Sequence, residues 1–231
     1  MNNILPHITI ETGASPQYSI IWLHGLGADG EDFVPIAEEM NLPSAVRYIF
    51  PHAPKRPVTI SGGIVMRAWY DIAAASMDAL PDEAGIRASQ AAIEALIAQE
   101  KQRGVATEHI YLAGFSQGGA IVLHTGLRHA AQLGGIVALS TYLPLAETLA
   151  HEASAAAMHT PIFMAHGHSD PVVPYALGKS SAGKLSELGY QLKWHEYAMP
   201  HSVCMEEIRD IAAWLTHRLG MSNSNSQSRQ Q

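Results

Sequence analysis

Gly114-Phe115-Ser116-Gln117-Gly118 follows directly on an apolar stretch, Ile110–Ala113, and runs directly into a helical pattern. A serine hydroxyl is a weak nucleophile at neutral pH. It attacks an acyl carbon only when a sharp turn exposes it and a neighbouring base takes its proton. Small residues on either side relieve the crowding of such a turn, and Gly114 and Gly118 supply them. An incidental serine in a glycine-rich turn is the competing reading, and the buried strand before it and the helix after it count against that. The helix after Ser116 also turns its positive end toward the hydroxyl, which favours negative charge there.

If nucleophile, acid and base follow in that chain order, both partners must lie after residue 116. His201, in Met199-Pro200-His201-Ser202, falls in a loop between a late strand and the last helix, so it can hang over the sheet edge as the base. His195 sits inside a strand, while His166 and His168 flank Gly167 at a strand end and read as scaffolding for the next residue needed. That residue is Asp170, in Ser169-Asp170-Pro171, where a buried strand ends in a turn. A carboxylate there accepts the second imidazole N–H and stabilises the imidazolium as it forms. Asp before Pro is also an ordinary turn pair, a reading that the ordered set of three weakens.

Acyl transfer passes through a tetrahedral oxyanion that needs fixed donors, commonly two backbone N–H groups. Gln117, next to the nucleophile, offers one. The loop His24-Gly25-Leu26-Gly27-Ala28-Asp29-Gly30 offers the other at Leu26, since glycines let the backbone come close. Its glycines match neither the dinucleotide nor the phosphate-loop spacing, and His24 itself reads as structural rather than catalytic.

Other chemistries find little support. The thirteen histidines are scattered, and neither His151-Glu152 nor His195-Glu196 continues into a zinc-helix spacing, so no metal and no cofactor is expected. A net charge of -7 without a run of Lys and Arg argues against nucleic acid. The single cysteine, Cys204, rules out an intrachain disulfide. The first residues show no basic region followed by a long apolar stretch, so no integral membrane segment is expected and the cytoplasm is the default location.

Elements must hold these residues in place. Ser19–His24, Val46–Phe50, Ile110–Ala113, Gly135–Leu139 and Ile162–His166 are apolar on both faces and read as interior parallel strands. Residues 190–197 alternate Tyr190, Leu192 and Trp194 with polar neighbours, the pattern of a strand near an edge. Helical spacing appears at Phe33, Ile36, Ala37 and Met40, over Asp82–Arg103, and near Gly118–His129, Leu177–Leu188 and Val203–Leu219. The alternation predicts an α/β fold with a mostly parallel, twisted central sheet and helices on both faces. It fits a single domain over residues 1–220, with a polar, flexible tail over residues 221–231. His52–Met77 is rich in Pro and Gly, lacks a clear period and reads as a functional loop.

Taken together, Leu23-His24-Gly25-Leu26-Gly27-Ala28-Asp29-Gly30, Phe115-Ser116-Gln117-Gly118-Gly119-Ala120 and Leu139-Ser140-Thr141-Tyr142 resemble the bacterial carboxylesterases and acyl-protein thioesterases of the phospholipase/carboxylesterase group of α/β-hydrolases. The likeness runs in order along nearly the whole chain. It implies the same triad of Ser116, Asp170 and His201, with Leu26 and Gln117 as oxyanion donors. It also implies a loop over the site at Pro57–Asp71, with Ile64, Met66 and Trp69 near the acyl chain; plain packing is the competing account of each. Group members usually carry Pro where this chain has Arg67 and Gly where it has Pro200, which puts substrate preference and the His201 loop in question. They often form homodimers, so the resemblance allows one here, with a symmetric contact near the long loop.

The expectation is therefore a serine esterase for short or medium acyl esters, whose partner is a small-molecule or lipid acyl ester. An acyl-protein thioesterase acting on S-acylated protein and a lysophospholipase are the alternatives within the reaction class. A non-catalytic α/β-hydrolase that only binds a ligand is the alternative outside it.

Overall fold

The computed structural model describes residues 4–74 and 80–228, with side chains as far as Gly220. The strands are β1 (His7–Glu11), β2 (Tyr18–Leu23), β3 (Val46–Pro51), β4 (Lys55–Val58), β5 (Ile64–Arg67), β6 (Ile110–Phe115), β7 (Gly135–Leu139), β8 (Ile162–Gly167) and β9 (Leu192–Tyr197). The helices are α1 (Val34–Met40), α2 (Glu83–Gln102), α3 (Gln117–Arg128), α4 (Leu149–Glu152), α5 (Tyr175–Glu187) and α6 (Met205–Ser228).

Seven strands form one sheet in the order β1-β3-β2-β6-β7-β8-β9, parallel except for β1, which runs antiparallel to β3. The period of two in β2 sends Ile21 and Leu23 to one face and Tyr18, Ile20 and Trp22 to the other. Each face carries its own core. The first is packed by Ile86, Ile93, Leu96 and Ile97 of α2, Ala120–Leu123 of α3 and Leu185 of α5. The second is packed by Ala37 and Met40 of α1 and by Ile208, Ile211, Trp214 and Leu215 of α6. Helices thus cover both faces of a mostly parallel sheet, the architecture expected from the alternating pattern, and β9 closes one edge.

Two features depart from the sequence reading. The short strand β1, not anticipated, caps the β3 edge by pairing His7 with Pro51 through to Glu11 with Arg47. Within the long loop, β4 and β5 pair as a separate antiparallel hairpin, Lys55 opposite Arg67 and Val58 opposite Ile64. Pro57 is compatible with this two-stranded ribbon because an edge strand leaves its missing N–H unneeded. The end of that loop, Ala75–Met77, lies outside the described residues. So do residues 229–231 of the expected tail and all side chains beyond Gly220, while the α6 backbone is described to Ser228. Among the described residues, no helix is long and apolar enough to cross a membrane.

α6 holds a buried acid, Glu207, with no exposed surface. Burial pushes its carboxyl up to about 8; the Cys204 backbone N–H partly offsets this and the Asp210 carboxylate adds to it. The raised value means that the folded state holds this proton more tightly than the unfolded chain. The associated stability is full below the ordinary carboxyl range and disappears as pH rises through about 8. Thermal unfolding at pH 5 and pH 9 should therefore show Glu207→Gln gaining on the wild type as pH rises; an unchanged difference between the two proteins contradicts the assignment.

Candidate active site

β6 ends at Phe115 and α3 begins at Gln117, leaving Ser116 alone at the turn with φ 55° and ψ -119°. A non-glycine residue held there costs about 1–3 kcal/mol, so the surroundings must enforce it. They do so on both sides. Ser116 N–H donates to Leu139 O at 2.8 Å, and Ser116 O accepts from Ala120 N–H at 3.1 Å and from the Thr141 hydroxyl at 2.7 Å. Close packing of backbone on backbone demands the flanking glycines. A Cβ on Gly114 would stand 2.5 Å from the Gly118 carbonyl, and one on Gly118 would stand 2.5 Å from Leu23 O.

The three residues picked from the sequence converge. Ser116 Oγ lies 2.9 Å from His201 Nε2, and His201 Nδ1 lies 2.7 Å from Asp170 Oδ2. The Asp170 side chain is fully buried, and the His201 ring is 15% exposed, open enough for a reactant to reach. Asp170 Oδ1 accepts from the N–H groups of Val172 and Val173 at 2.8 and 2.9 Å, which orients Oδ2 toward the imidazole. Phe115 packs beside the imidazole, its ring tilted by 44° and its centroid 4.7 Å from that of His201. Since the carboxylate only accepts, the Nδ1 proton belongs to His201, and Nε2 is free to take the Ser116 proton.

His168 stays outside this line, whereas His166 touches its acid end, with Nε2 3.4 Å from Asp170 Oδ2. His166 is buried, donates from Nε2 to Val173 O at 2.9 Å and is held below the usual imidazole range, chiefly by burial. It braces the Asp170 turn, the scaffolding role read from its position. Pro200 does not displace His201: the Met199 carbonyl accepts from Ser169 N–H at 3.2 Å and ties the two loops together.

Gln117 opens α3, so its N–H has no partner within the helix. The loop expected to supply the second oxyanion donor, residues 24–30, comes close, since a Cβ on Gly25 would stand 3.6 Å from Ser116 Cβ. Among the described residues, no hydrogen-bond partner is found for the Leu26 N–H. The residues implied near the acyl chain divide. Ile64 is 63% exposed on the hairpin, and the Met66 sulfur would lie 3.7 Å from a Cβ at Gly27, in the loop of residues 24–30. Trp69 has no exposed surface. Its indole N–H donates to His24 O at 2.9 Å and its backbone N–H to Gln117 Oε1 at 2.7 Å, so it braces the site from behind rather than lining an open groove.

Sequence reasoning passed over the Gln117 side chain, which clamps residues 69 and 70 by also donating from Nε2 to Tyr70 O at 2.7 Å. It also passed over the Thr141 hydroxyl. Only its place in Leu139-Ser140-Thr141-Tyr142 pointed to it. Among the described residues, no group of three or more His, Cys, Asp and Glu side chains could hold a metal ion.

A strained serine at the carboxyl edge of a mostly parallel sheet, in line with a histidine and an aspartate from later loops, defines the class of α/β-hydrolases. The chain belongs to the phospholipase/carboxylesterase family, which it matches over residues 6–219, and is a serine hydrolase of ester and thioester substrates. It is 41% identical over 225 residues to acyl-protein thioesterase 1 of Neurospora crassa, covering 93% of this chain and 92% of that protein. It is 38% identical to acyl-protein thioesterase 1 of Yarrowia lipolytica, covering 93% and 97%. Among solved structures, Zea mays acyl-protein thioesterase 2 superposes with a TM-score of 0.83 at 31% identity, over 93% of this chain and 99% of that one.

Proposed function

We propose that this chain hydrolyses acyl esters and thioesters through an acyl-enzyme on Ser116, with His201 as general base and then general acid, Asp170 as its orienting carboxylate, and the N–H groups of Leu26 and Gln117 as oxyanion donors. The observation that carries this is the pair of contacts in series, 2.9 Å from Ser116 Oγ to His201 and 2.7 Å from His201 to Asp170. His201 takes the hydroxyl proton as Oγ attacks the acyl carbon. It returns that proton to the departing alkoxide or thiolate. Water activated by the same imidazole then releases the acid.

For substrate we propose an acyl chain delivered on a larger carrier, an S-acylated protein before a small ester. Support comes from the relatives that bear the name acyl-protein thioesterase and from the exposed apolar hairpin residues Ile64 and Val65, 63% and 62% exposed. The test is kcat/KM on an S-octanoyl or S-palmitoyl cysteine peptide against p-nitrophenyl butyrate; a strong preference for the butyrate ester returns the reading to a small-ester carboxylesterase. Contact with Ile64 and Met66 adds a second expectation. Replacing either with serine should lower kcat/KM for an octanoyl substrate about 10-fold, the value of one or two buried methylenes, and leave an acetyl substrate unaffected. Equal losses on both substrates would detach these side chains from the acyl chain.

A further inference from the structure

We infer that Arg67 is a positioning residue for the oxyanion, closing a hydrogen-bonded circuit with Ala53 and His24 that fixes the direction of the Leu26 N–H. The inference rests on the acyl-enzyme reading above and assigns a role to a residue at which this chain differs from the group it resembles.

In a trans peptide the carbonyl and the following N–H point in opposite directions. Whatever holds Gly25 O therefore aims Leu26 N–H. Gly25 O accepts from His24 Nδ1 at 2.7 Å and, at the longer distance of 3.3 Å, from Ala28 N–H. The other ring nitrogen, Nε2, accepts from Ala53 N–H at 3.0 Å. That pair of bonds requires a neutral ring with its proton on Nδ1, and burial favours the neutral form by lowering His24 below the usual imidazole range. One side of Leu26 is thereby anchored to Ala53.

The other side reaches the same residue by a different route. Gly27, at φ +79°, donates its N–H to Arg67 O at 2.9 Å. The Arg67 guanidinium donates in turn to Ala53 O at 3.0 Å. Ala53 uses its N–H for His24 and its carbonyl for Arg67, and its own surface is fully buried. The peptide groups before and after Leu26 are thus both pinned to one fixed residue. Proline at position 67 would keep the carbonyl bond to Gly27 and the bond from Ala68 N–H to Pro54 O at 3.1 Å, and would lose the guanidinium bond to Ala53. Arg67 itself is partly exposed, so its guanidinium keeps some hydration while making this bond.

Preorganisation of a donor matters most when charge develops on the oxygen it faces. Loosening Leu26 should therefore weaken the tetrahedral state more than the bound ester, and the effect should appear in kcat. The probe is a trifluoromethyl ketone with a butyryl-length chain. Ser116 Oγ adds to its carbonyl carbon, the hydroxyl proton passes to His201, and the carbonyl oxygen becomes the anion that Leu26 and Gln117 face. The experiment measures kcat and KM on p-nitrophenyl butyrate, and Ki for this ketone, in wild type, Arg67→Met and Arg67→Lys. Arg67→Met should lower kcat about 10-fold at unchanged KM, short of the roughly 10²- to 10³-fold cost of deleting an oxyanion donor. The ketone should weaken by the same factor, and Arg67→Lys, which keeps a donor, should recover most of both. Unchanged kcat in Arg67→Met, or a loss of kcat without a matching loss of ketone affinity, overturns the inference. Should Arg67→Met fail to fold, the ketone affinity of Arg67→Lys relative to its kcat decides in the same way. An inactive Ser116→Ala beside an unimpaired Arg67→Met removes this inference alone, whereas an active Ser116→Ala removes the reading beneath it.

Discussion

Ser116→Ala should lower kcat for p-nitrophenyl butyrate by roughly 10⁶-fold while the protein stays folded, because removal of the nucleophile leaves only binding and the oxyanion donors. The fold should survive for a local reason. The bonds that hold the turn run through Ser116 backbone atoms, to Leu139, Ala120 and Thr141, and alanine keeps all of them. The Cβ is unchanged, so no new clash arises at φ 55°. Loss of activity with an unchanged melting temperature isolates the hydroxyl as the reacting group. A protein that only binds an acyl ligand would instead show ligand-dependent stabilisation, no turnover in the wild type and no difference on mutation.

The second large effect is expected at Asp170. Asp170→Asn is nearly isosteric and can still face His201, but its amide offers an N–H where the carboxylate offered an acceptor. The ring then favours the tautomer with its proton on Nε2, the atom 2.9 Å from Ser116 Oγ that must be free to take a proton. The loss in kcat should be about 10⁴-fold, with KM little changed. Val172 and Val173 donate to Oδ1, and that oxygen survives as the amide oxygen, so the turn keeps its shape. Steady-state kinetics at saturating ester checks this; a loss below 10-fold would show that the carboxylate is dispensable for orienting the ring.

Much of this was legible in the residues themselves. Ser116 announced itself because its neighbours are constrained for a physical reason: Gly114 and Gly118 sit where a side chain would strike backbone atoms at 2.5 Å. Asp170 and His201 followed from chain order and from their places at a strand end and a loop. The interior strands were readable because residues such as Ile20, Ile21, Trp22 and Leu23 are apolar on both faces and buried on both.

What escaped has equally local causes. β1 spans only His7–Glu11, half-buried up to the exposed Glu11, and its place is set by pairing with distant β3. The β4–β5 hairpin is built from Lys55-Arg56-Pro57-Val58 and Ile64–Arg67, strands of four residues with charge and proline, joined by Gly62 and Gly63 at positive φ. No periodicity survives in so short a ribbon. Trp69 shows a different limit, since an indole near a site reads alike whether it lines a groove or supports a loop, and only its bonds to His24 and Gln117 separate the two. The Arg67 circuit joins the His24 ring and the Arg67 guanidinium to main-chain atoms of residues 25 and 53, and main-chain partners leave no trace in side-chain spacing.

The acyl-enzyme itself can be weighed. Acid quenching during the pre-steady-state burst with p-nitrophenyl butyrate, followed by peptide mass mapping, should find a butyryl group on the peptide containing Ser116 in wild type and none on Ser116→Ala. Turnover at the wild-type rate with the butyryl group on another residue, such as Cys204, or with Ser116→Ala still active, would contradict the account.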